Sequence, residues 1–495
     1  MDKQKPAAKK IGSKALARKR ARPVAARRAS AAAKKKKGTS GNVLIVNMIP
    51  KSLSFETNQD SEPTLAVNPA NTQQIAGSAF TPDPGGGDLA PIFVSTDGGN
   101  TWLLNSIVPS DAQSGSMTAD ITIAFGSSSS VLYAGIIRLP LVNRNTRLNI
   151  LSTSNFLSPT KMKVLVDRMG VDQPYVKAAT VASGTDKGKE RVFVGSNDFQ
   201  GPSGKTASID RSNDGTHFTT VRLESRPTSG QDGPPVRPAI HPDGTVYAVY
   251  HSWRTFDPNT KNRTADIVVV RDDNWGNGAP SFGALKDTDN LSGKRVVQNS
   301  LFNFDDFLGL ERIGGAVSIA VDPTNSSVAY VSWADMQNGI YTIHLRKSTN
   351  RGVTWSATDL KTVPSATNPA LAVNDKGTIG FLYQQLTGSG AAQRFVTHFQ
   401  RSDGKNWVDL TLADTPANRP AKVFDPYIGD YAHLLSVGSD FYGIFSANNE
   451  PDLTHFPNGV IYQRNHDFTK KHLLDVDGAT PVDPSIDPFF FKVSP

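Results

Sequence analysis

The chain has 495 residues, of which 38% are apolar, and it contains no cysteine. This length and composition predict a folded protein with a sizeable core. The absence of cysteine excludes disulfides, thiolate metal sites and a cysteine nucleophile. The net charge of +8 is unevenly distributed, because residues 1–37 hold fifteen Lys or Arg and one acid, whereas the remainder holds 38 basic and 44 acidic residues.

Residues 1–41 form the first predicted segment, a basic tail that consists mainly of Lys, Arg, Ala, Ser and Pro. Such a composition cannot bury enough apolar surface to fold, so we predict that this segment is disordered. It could bind nucleic acid or an anionic surface by releasing counterions, or act only as a solubilising or targeting tail. No apolar signal region and no membrane-spanning run follows, which predicts a soluble protein, with an intracellular location favoured.

Residues 42–495 are predicted to form one domain built from a repeated unit. Each unit begins with an apolar run that ends in a turn rich in Pro, Asn, Asp or Gly, and these first runs lie at 62–71, 120–129, 173–182, 237–244, 316–325, 368–377 and 425–438. A second run with alternating apolar residues follows at 74–80, 131–137, 191–197, 246–253, 328–335, 379–386 and 441–448. A third run ends in a Ser- or Asp-containing turn, at 92–102, 148–156, 208–218, 267–278, 343–355, 397–407 and 460–468.

Three such runs and a fourth after the turn predict a four-stranded antiparallel sheet. Repetition of this unit predicts an all-β protein, a β-propeller in which the sheets are blades around a central channel. Seven blades are favoured, and six are possible if the second repeat is a false match. The step from the fourth to the fifth unit is longer than the others, and we interpret residues 279–313 as an insertion.

The third run of the first unit ends in "STDGGNTW", residues 95–102. Its pattern Ser-x-Asp-x-Gly-x-Thr-Trp is the Asp-box, or bacterial neuraminidase repeat, and it is matched by Ser95, Asp97, Gly99 and Trp102. A second copy has an asparagine in the aspartate position and comprises Ser348, Asn350, Gly352 and Trp355. These residue types suit a hairpin turn, in which the carboxylate or amide accepts backbone N–H groups and glycine adopts positive φ.

On these motifs the chain resembles the sialidase-like, Asp-box propeller superfamily. The segments "EPTLAVNP", "NTQQIAGS" and "FDPYIGDYAHL" are similar to those of bacterial putative exo-sialidases. The resemblance implies glycoside hydrolase chemistry or glycan binding at the mouth of the channel. It also implies that the Asp-boxes lie on the opposite face and have a structural role.

Aligning the repeats predicts which side chains surround the channel mouth. The equivalent positions at the starts of the first runs are Glu62, Asp120, Gln173, Arg237, Ala316, Asn368 and Asp425, with Asp172 and Asp430 beside them. A ring of carboxylates and amides could bind Ca²⁺ or supply the acid and base of a glycosidase. It could equally cap backbone groups around a water-filled pore. We predict no obligatory cofactor.

The resemblance also implies the roles that a sialidase would need. The nucleophile would be Tyr427 or Tyr431 with Glu311 as its partner, and the acid would be Asp83 or Asp120. Three arginines should bind the substrate carboxylate, and the candidates are Arg237, Arg138, Arg254 and Arg312. Only Arg237 occupies an aligned position, and the Phe-Arg-Ile-Pro type motif of the family is absent, so the pattern departs from that of a sialidase.

A second hypothesis comes from a different class of protein. The propeller could be a non-catalytic interaction or glycan-binding scaffold that its basic tail tethers to a polyanion. A fold alone does not choose between these functions.

Overall fold

The computed structural model describes residues 42–495 apart from 85–86, 111–116, 129, 140–145, 201–205, 228–234, 261, 304–316 and 422–426. The basic tail, predicted to be disordered, therefore lies outside the described residues. Regular structure in the described part is almost entirely β. Its helices are three short 3-10 turns at Lys51–Leu53, Gly390–Ala392 and Leu453–His455, and none of them has the length and apolar character needed to cross a bilayer.

The first strand, β1, is Val43–Asn47, and six four-stranded sheets follow it in chain order. Sheet 1 consists of β2 (Ser61–Val67), β3 (Ile75–Phe80), β4 (Phe93–Ser95) and β5 (Leu103–Leu104). Sheet 2 consists of β6 (Met117–Phe125), β7 (Leu132–Leu139), β8 (Arg147–Thr153) and β9 (Lys163–Met169). Sheet 3 consists of β10 (Val171–Thr180), β11 (Glu190–Asp198), β12 (Thr206–Ser212) and β13 (Phe218–Arg222).

The next three sheets repeat this antiparallel order. Sheet 4 consists of β14 (Val236–Ile240), β15 (Val246–Phe256), β16 (Asn262–Asp272) and β17 (Lys294–Asn303). Sheet 5 consists of β18 (Val317–Asp322), β19 (Asn325–Gln337), β20 (Ile340–Ser348) and β21 (Lys361–Pro364). Sheet 6 consists of β22 (Ala366–Val373), β23 (Ile379–Thr387), β24 (Arg394–Ser402) and β25 (Trp407–Pro416).

Sheet 7 joins the two ends of the described chain. Its members are β26 (His433–Val437), β27 (Asp440–Asn448), β28 (Ile461–Tyr462) and β32 (Ile486–Val493), together with β1. The order across the sheet is β26-β27-β32-β1-β28, and β28 pairs with β1 in parallel. The run 460–468, predicted as the third strand, supplies only β28 at the edge, and β32 takes the third position instead. A small sheet of β29 (His466–Asp467), β30 (His472–Leu474) and β31 (Pro481–Val482) lies between them in sequence.

The first strands of sheets 1 to 7 neighbour one another in chain order, and β26 returns to β2. This closed arrangement of four-stranded sheets confirms the predicted β-propeller. Facing sheets are held together by apolar side chains, as between sheets 1 and 2, where Ala66 and Ile92 pack with Ile121 and Ile123. Because the inner strands are covered on both faces, every residue of β2 and β22 is buried, although the first half of each strand contains polar residues and only the second half is wholly apolar.

The predicted insertion at 279–313 includes a regular strand of the sheet. Within it, β17 is the fourth strand of sheet 4 and pairs with β16. Before β17, Gly283 forms an isolated bridge with Arg271 of β16. Residues 304–313 lie outside the described residues. The segment is long because an extended turn precedes the strand.

The Asp-box of sheet 1 closes the turn between β4 and β5 with its own side chains. The Asp97 carboxylate accepts hydrogen bonds from the Thr101 amide at 2.9 Å and the Thr101 hydroxyl at 2.7 Å. Gly99 N–H donates to the Ser95 hydroxyl at 2.9 Å, and the Trp102 indole N–H donates to Gly99 O at 3.0 Å. The same bonds join Ser348, Asn350 and Gly352 in sheet 5. Because strands alternate in direction, these turns lie at the opposite end from the starts of the first strands.

Candidate functional site

The candidate site lies where the first strands begin, at one mouth of the channel. Of the seven aligned positions, the structure describes Glu62, Asp120, Gln173, Arg237 and Asn368. Ala316 and Asp425 lie outside the described residues, as do Glu311 and Arg312.

Three of these positions share an unusual backbone conformation. Glu62, Gln173 and Asn368 have φ of 50°, 51° and 57° and each precedes a proline. At each one the pairing with the second strand shifts register, as in a β-bulge. Positive φ costs a non-glycine residue about 1 kcal/mol or more, and bulges turn side chains away from the regular ladder. The repeated bulge therefore places three polar side chains at the mouth at a cost in backbone strain.

Arg237 occupies the centre of the described mouth. Its side chain is 5% exposed, and its guanidinium carbon lies 4.4 Å from the ring centroid of Tyr175 and 5.2 Å from that of Tyr431. Among the described residues it makes no ion pair within 4.0 Å. Burial lowers the pKa of Arg237, whereas Tyr175, Tyr431, Glu62 and Asp120 favour its charge. The arginine is thus held by two aromatic faces, and no hydrogen bond from its N–H groups to another described residue occupies them.

Tyr431 contacts Arg237 and also interacts with the carboxylates of Glu62 and Asp120. Burial raises the pKa of Tyr431 well above its usual value, and the neighbouring charges of Glu62 and Asp120 raise it further. The phenol is therefore protonated at neutral pH. The adjacent Asp430 N–H lies 3.3 Å from Glu62 Oε1. Gly429 allows this approach, because a Cβ there would lie 2.3 Å from the Glu62 nitrogen.

Several buried polar atoms at the mouth have no hydrogen-bond partner in the structure. They are Asp120 Oδ1, Gln173 Oε1 and Tyr431 Oη. Leaving such an atom unsatisfied costs about 1–3 kcal/mol. Next to Arg237 there is space of about 20 Å³ between Tyr175 and Tyr431, enough for about one water molecule. Two of these residues, Asp120 and Tyr431, interact with Arg237, which makes this space a candidate site for a small polar group.

A second cation lies deeper in the channel. Lys177 Nζ is 5.5 Å from the ring centroid of Tyr175 and 3.5 Å from His433 Nε2. His433 Nδ1 accepts the Leu65 N–H at 3.0 Å. Burial lowers the pKa of His433 well below its usual value, and Lys177 and Arg237 lower it further. His433 is therefore neutral, and it supports the base of the site as a fixed hydrogen-bond acceptor.

A much larger cavity, about 440 Å³, opens towards the Asp-box end of the channel. Its walls are the ends of the first strands, with Leu65, Ile123, Leu371 and Val437 among the lining side chains. Among the described residues, the titratable groups of this lining are those of Lys177 and His433. The described carboxylates of the channel lie at the narrower mouth, which is therefore the candidate site.

The other residues predicted for the site are engaged elsewhere or at its edge. Arg138 donates to Asn149 Oδ1 at 2.6 Å within sheet 2, and Arg254 pairs with Asp266 at 2.9 Å. Tyr427 donates to the Pro420 carbonyl at 2.7 Å. The remaining contacts are those of Asp172 Oδ1 with Gln173 N–H at 3.0 Å, Asn368 Nδ2 with Gly429 O at 2.8 Å, and Asp83 with the Ser106 hydroxyl.

Of the four candidate arginines, Arg237 is the one that the described residues bring to the mouth. An arginine triad is therefore not assembled within the described part of the chain. The predicted calcium at the channel is untested and remains a prediction.

Tyr175, Lys177 and His433 were not predicted, although the sequence contains a signal for them. Side chains two residues apart on a strand point to the same face. Tyr175 and Lys177 follow Gln173 at this spacing, and His433 follows Tyr431. Extending Gln173 by two and four residues, and the candidate Tyr431 by two, would have included them.

No protein-family model and no curated protein matches the chain. Similar solved structures include an α-L-arabinofuranosidase from Fusarium graminearum, at 11% identity over 90% of this chain and 97% of that one, with a TM-score of 0.44. An α-L-arabinanase from Penicillium chrysogenum has the same values. An intramolecular trans-sialidase from Ruminococcus gnavus is 11% identical over 68% of this chain and 92% of that one, with a TM-score of 0.40. None of these similarities assigns an activity to this chain.

Proposed function

We propose that the channel mouth binds a hydroxyl-bearing edge of a sugar and that the protein is a glycoside hydrolase. The observation that carries this proposal is Arg237, held between two tyrosine rings, in a mouth that also holds the orphaned polar atoms of Asp120, Gln173 and Tyr431. Sugar hydroxyls both donate and accept hydrogen bonds. In the space of about 20 Å³ beside Arg237, one such hydroxyl would take the place of a water molecule, accepting from Arg237 and donating to Asp120.

The charges at the mouth favour a neutral sugar over sialic acid. Among the described residues, Glu62, Asp120 and Asp430 place three carboxyl groups at the mouth, against the guanidinium of Arg237 and, deeper in the channel, the ammonium group of Lys177. A substrate carboxylate would therefore meet more acids than bases in the described part of the mouth. We therefore propose a neutral glycan as the substrate.

Glu62 and Asp120 are the pair that we propose for hydrolysis. Glycosidases use one carboxylic acid to protonate the leaving oxygen and a second carboxylate as base or nucleophile. Glu62, whose Oε1 accepts a hydrogen bond from the Asp430 N–H at 3.3 Å, is the proposed base or nucleophile. Asp120, with Oδ1 free of other donors, is the proposed acid. Tyr431 stays protonated and donates a hydrogen bond.

A panel of neutral and sialic-acid aryl glycosides tests this proposal. We expect turnover of a neutral glycoside and a loss of about 100-fold or more in Glu62→Gln and Asp120→Asn. Tyr383→Phe is the matched control, because this buried tyrosine stacks on His398 in sheet 6, away from the mouth. Preferential cleavage of sialosides would contradict the neutral substrate, and no turnover with any glycoside would contradict hydrolysis.

The same panel tests the tyrosine nucleophile. If Tyr431→Phe or Tyr427→Phe loses as much activity as the carboxylate variants, a tyrosine mechanism replaces the two-carboxylate one. Glycan binding without turnover would instead support the non-catalytic scaffold, whose further support is the charge of +14 on residues 1–37.

A further inference from the structure

Three carboxylates and one arginine are buried together just before the start of β2. Glu56, Asp60 and Asp487 each place an oxygen within 4.8 Å of the others. Their exposures are 3%, 0% and 0%, and that of Arg464 is 0%. This group is called the closure cluster below.

The closure cluster lies where the first and last parts of the described chain meet. Asp60 directly precedes β2, and Asp487 belongs to β32. Asp60 N–H donates to the Ile486 carbonyl at 2.8 Å. Glu56 follows the first 3-10 turn, and Arg464 follows β28. Any ligand of the cluster would therefore connect sheet 1 to sheet 7.

Arg464 balances only part of the negative charge. Its Nη1 lies 2.9 Å from Asp487 Oδ2 and 3.7 Å from Glu56 Oε2. Its Nη2 donates to the carbonyls of Ser54 at 3.0 Å and Glu56 at 2.6 Å. One guanidinium faces three carboxyl groups, and burying unbalanced charge is costly. The cluster needs two further positive charges.

Asp60 is the group without a hydrogen-bond partner. Neither of its carboxylate oxygens accepts a hydrogen bond, although the side chain is fully buried, and the nearby Thr81 hydroxyl lowers the pKa of Asp60 only in part. Asp487, in contrast, accepts from Asn47 at 2.6 Å, from Ser485 at 3.1 Å and from Arg464. Burial raises the pKa of Asp60 to about 8, and the charge of Asp487 contributes to this rise. A buried, orphaned carboxylate next to two others points to a ligand that is itself positive.

We propose that Glu56, Asp60 and Asp487 bind one Ca²⁺ ion. The donors are all oxygen, as hard divalent cations prefer. A divalent ion and Arg464 together neutralise the three carboxylates. Ca²⁺ suits the site better than Mg²⁺, because carboxylates can bind it in bidentate fashion, whereas Mg²⁺ retains several waters that a fully buried site has little room to hold.

The ion would join the first sheet to the last and so stabilise the closed ring. Because the site is buried, the full-length protein is unfolded in urea and refolded with either EDTA or about 1 mM Ca²⁺, since a ligand of the folded state raises stability by mass action. We expect one Ca²⁺ per chain by elemental analysis after desalting, and a higher Tm for the calcium-refolded protein.

The variant Asp60→Asn distinguishes a bound cation from the other source of positive charge, which is two protons bound by the carboxylates. The amide has the shape of a neutral carboxyl group, so it replaces a protonated Asp60 without loss but is a weaker calcium ligand. With a bound cation, Asp60→Asn and Glu56→Gln lose the stoichiometric calcium and the calcium-dependent rise in Tm. The matched control is Glu224→Gln, a buried acid 3.9 Å from Arg226 in the segment after β13, which should keep both.

The proposal is overturned if the wild-type protein refolds without calcium and has the same Tm in Ca²⁺ and EDTA. It is also overturned if Asp60→Asn retains the calcium of the wild type, or if Glu224→Gln loses it equally. Should either cluster variant fail to fold, the calcium content and Tm of the wild type still decide the question.

Discussion

Gly99→Ala should destabilise the propeller far more than the same change in the second Asp-box. Gly99 has φ of +89°, and a Cβ there would lie 2.1 Å from Cε1 and 2.6 Å from Cζ of Phe490. Phe490 belongs to β32 and is fully buried, with its ring 5.3 Å from that of Trp102. The left-handed conformation costs alanine about 1–2 kcal/mol, and displacing a packed ring costs about 1–3 kcal/mol more. We expect a loss of roughly 2–5 kcal/mol in total.

Gly352→Ala is the matched control for this prediction. Gly352 has φ of +77°, but its nearest neighbour is Leu285 Cδ1 at 3.1 Å, the end of a flexible side chain. Only the conformational cost of about 1–2 kcal/mol should remain. Urea denaturation followed by tryptophan fluorescence measures both losses, and adding Phe490→Leu to Gly99→Ala should recover part of the larger one. Equal losses for the two glycine variants, or no recovery, would show that contact with β32 is not what makes Gly99 necessary.

Three further predictions concern a histidine, an aspartate and the tail. Burial opposes the charge of His344, but hydrogen bonds with Asp335 at 3.0 Å and Asp359 at 2.8 Å outweigh it and raise the pKa of His344 to about 9. The charged His344 should add at most about 3 kcal/mol to the free energy of unfolding; this stabilisation is complete below pH of about 6.5 and is lost as the pH rises through about 9. Urea titrations at a series of pH values should show this fall in stability for the wild type and not for His344→Gln. The same fall in His344→Gln would refute the assignment. Asp97→Ala removes three hydrogen bonds from the first Asp-box and should lower the unfolding free energy by about 1–2 kcal/mol in the same assay; a loss within experimental error would remove its role in the turn. Deleting residues 1–37 should abolish salt-sensitive retention on heparin or DNA, and equal retention by the truncated protein would mean that the tail does not bind polyanions.

The fold was largely predictable because each repeat contains its own local information. Alternation and turn residues predicted second strands such as 74–80, where the structure has Ile75–Phe80. The closure of the ring was not predictable in this way. The run 460–468 has the pattern of a third strand, yet β32 takes that place, since the choice depends on which segment packs between β27 and β1. The sequence of a single repeat does not show which of the two segments packs better in that place.

The candidate site was likewise predictable only where its residues follow the repeat. Glu62, Gln173 and Asn368 were predicted because equivalent positions of a repeat occupy equivalent places around an axis. The cation–π contacts of Arg237 and the burial of Tyr431 depend on side chains from different sheets, and no single repeat reveals them. The closure cluster is the extreme case, because Glu56 and Asp487 come together only in the finished ring.

The pairing of β1 with β32 joins two segments that the ribosome makes at very different times. Asn47 and Asp487, which share a hydrogen bond at 2.6 Å, are 440 residues apart. At about 5–20 residues per second, a ribosome needs roughly 20–90 s to make the chain between them. For most of that interval β1 has neither β28 nor β32 as a partner strand, and sheet 1 has no sheet 7 beside it. The nascent chain therefore presents an apolar strand and an open flank to chaperones until the strands of sheet 7 emerge.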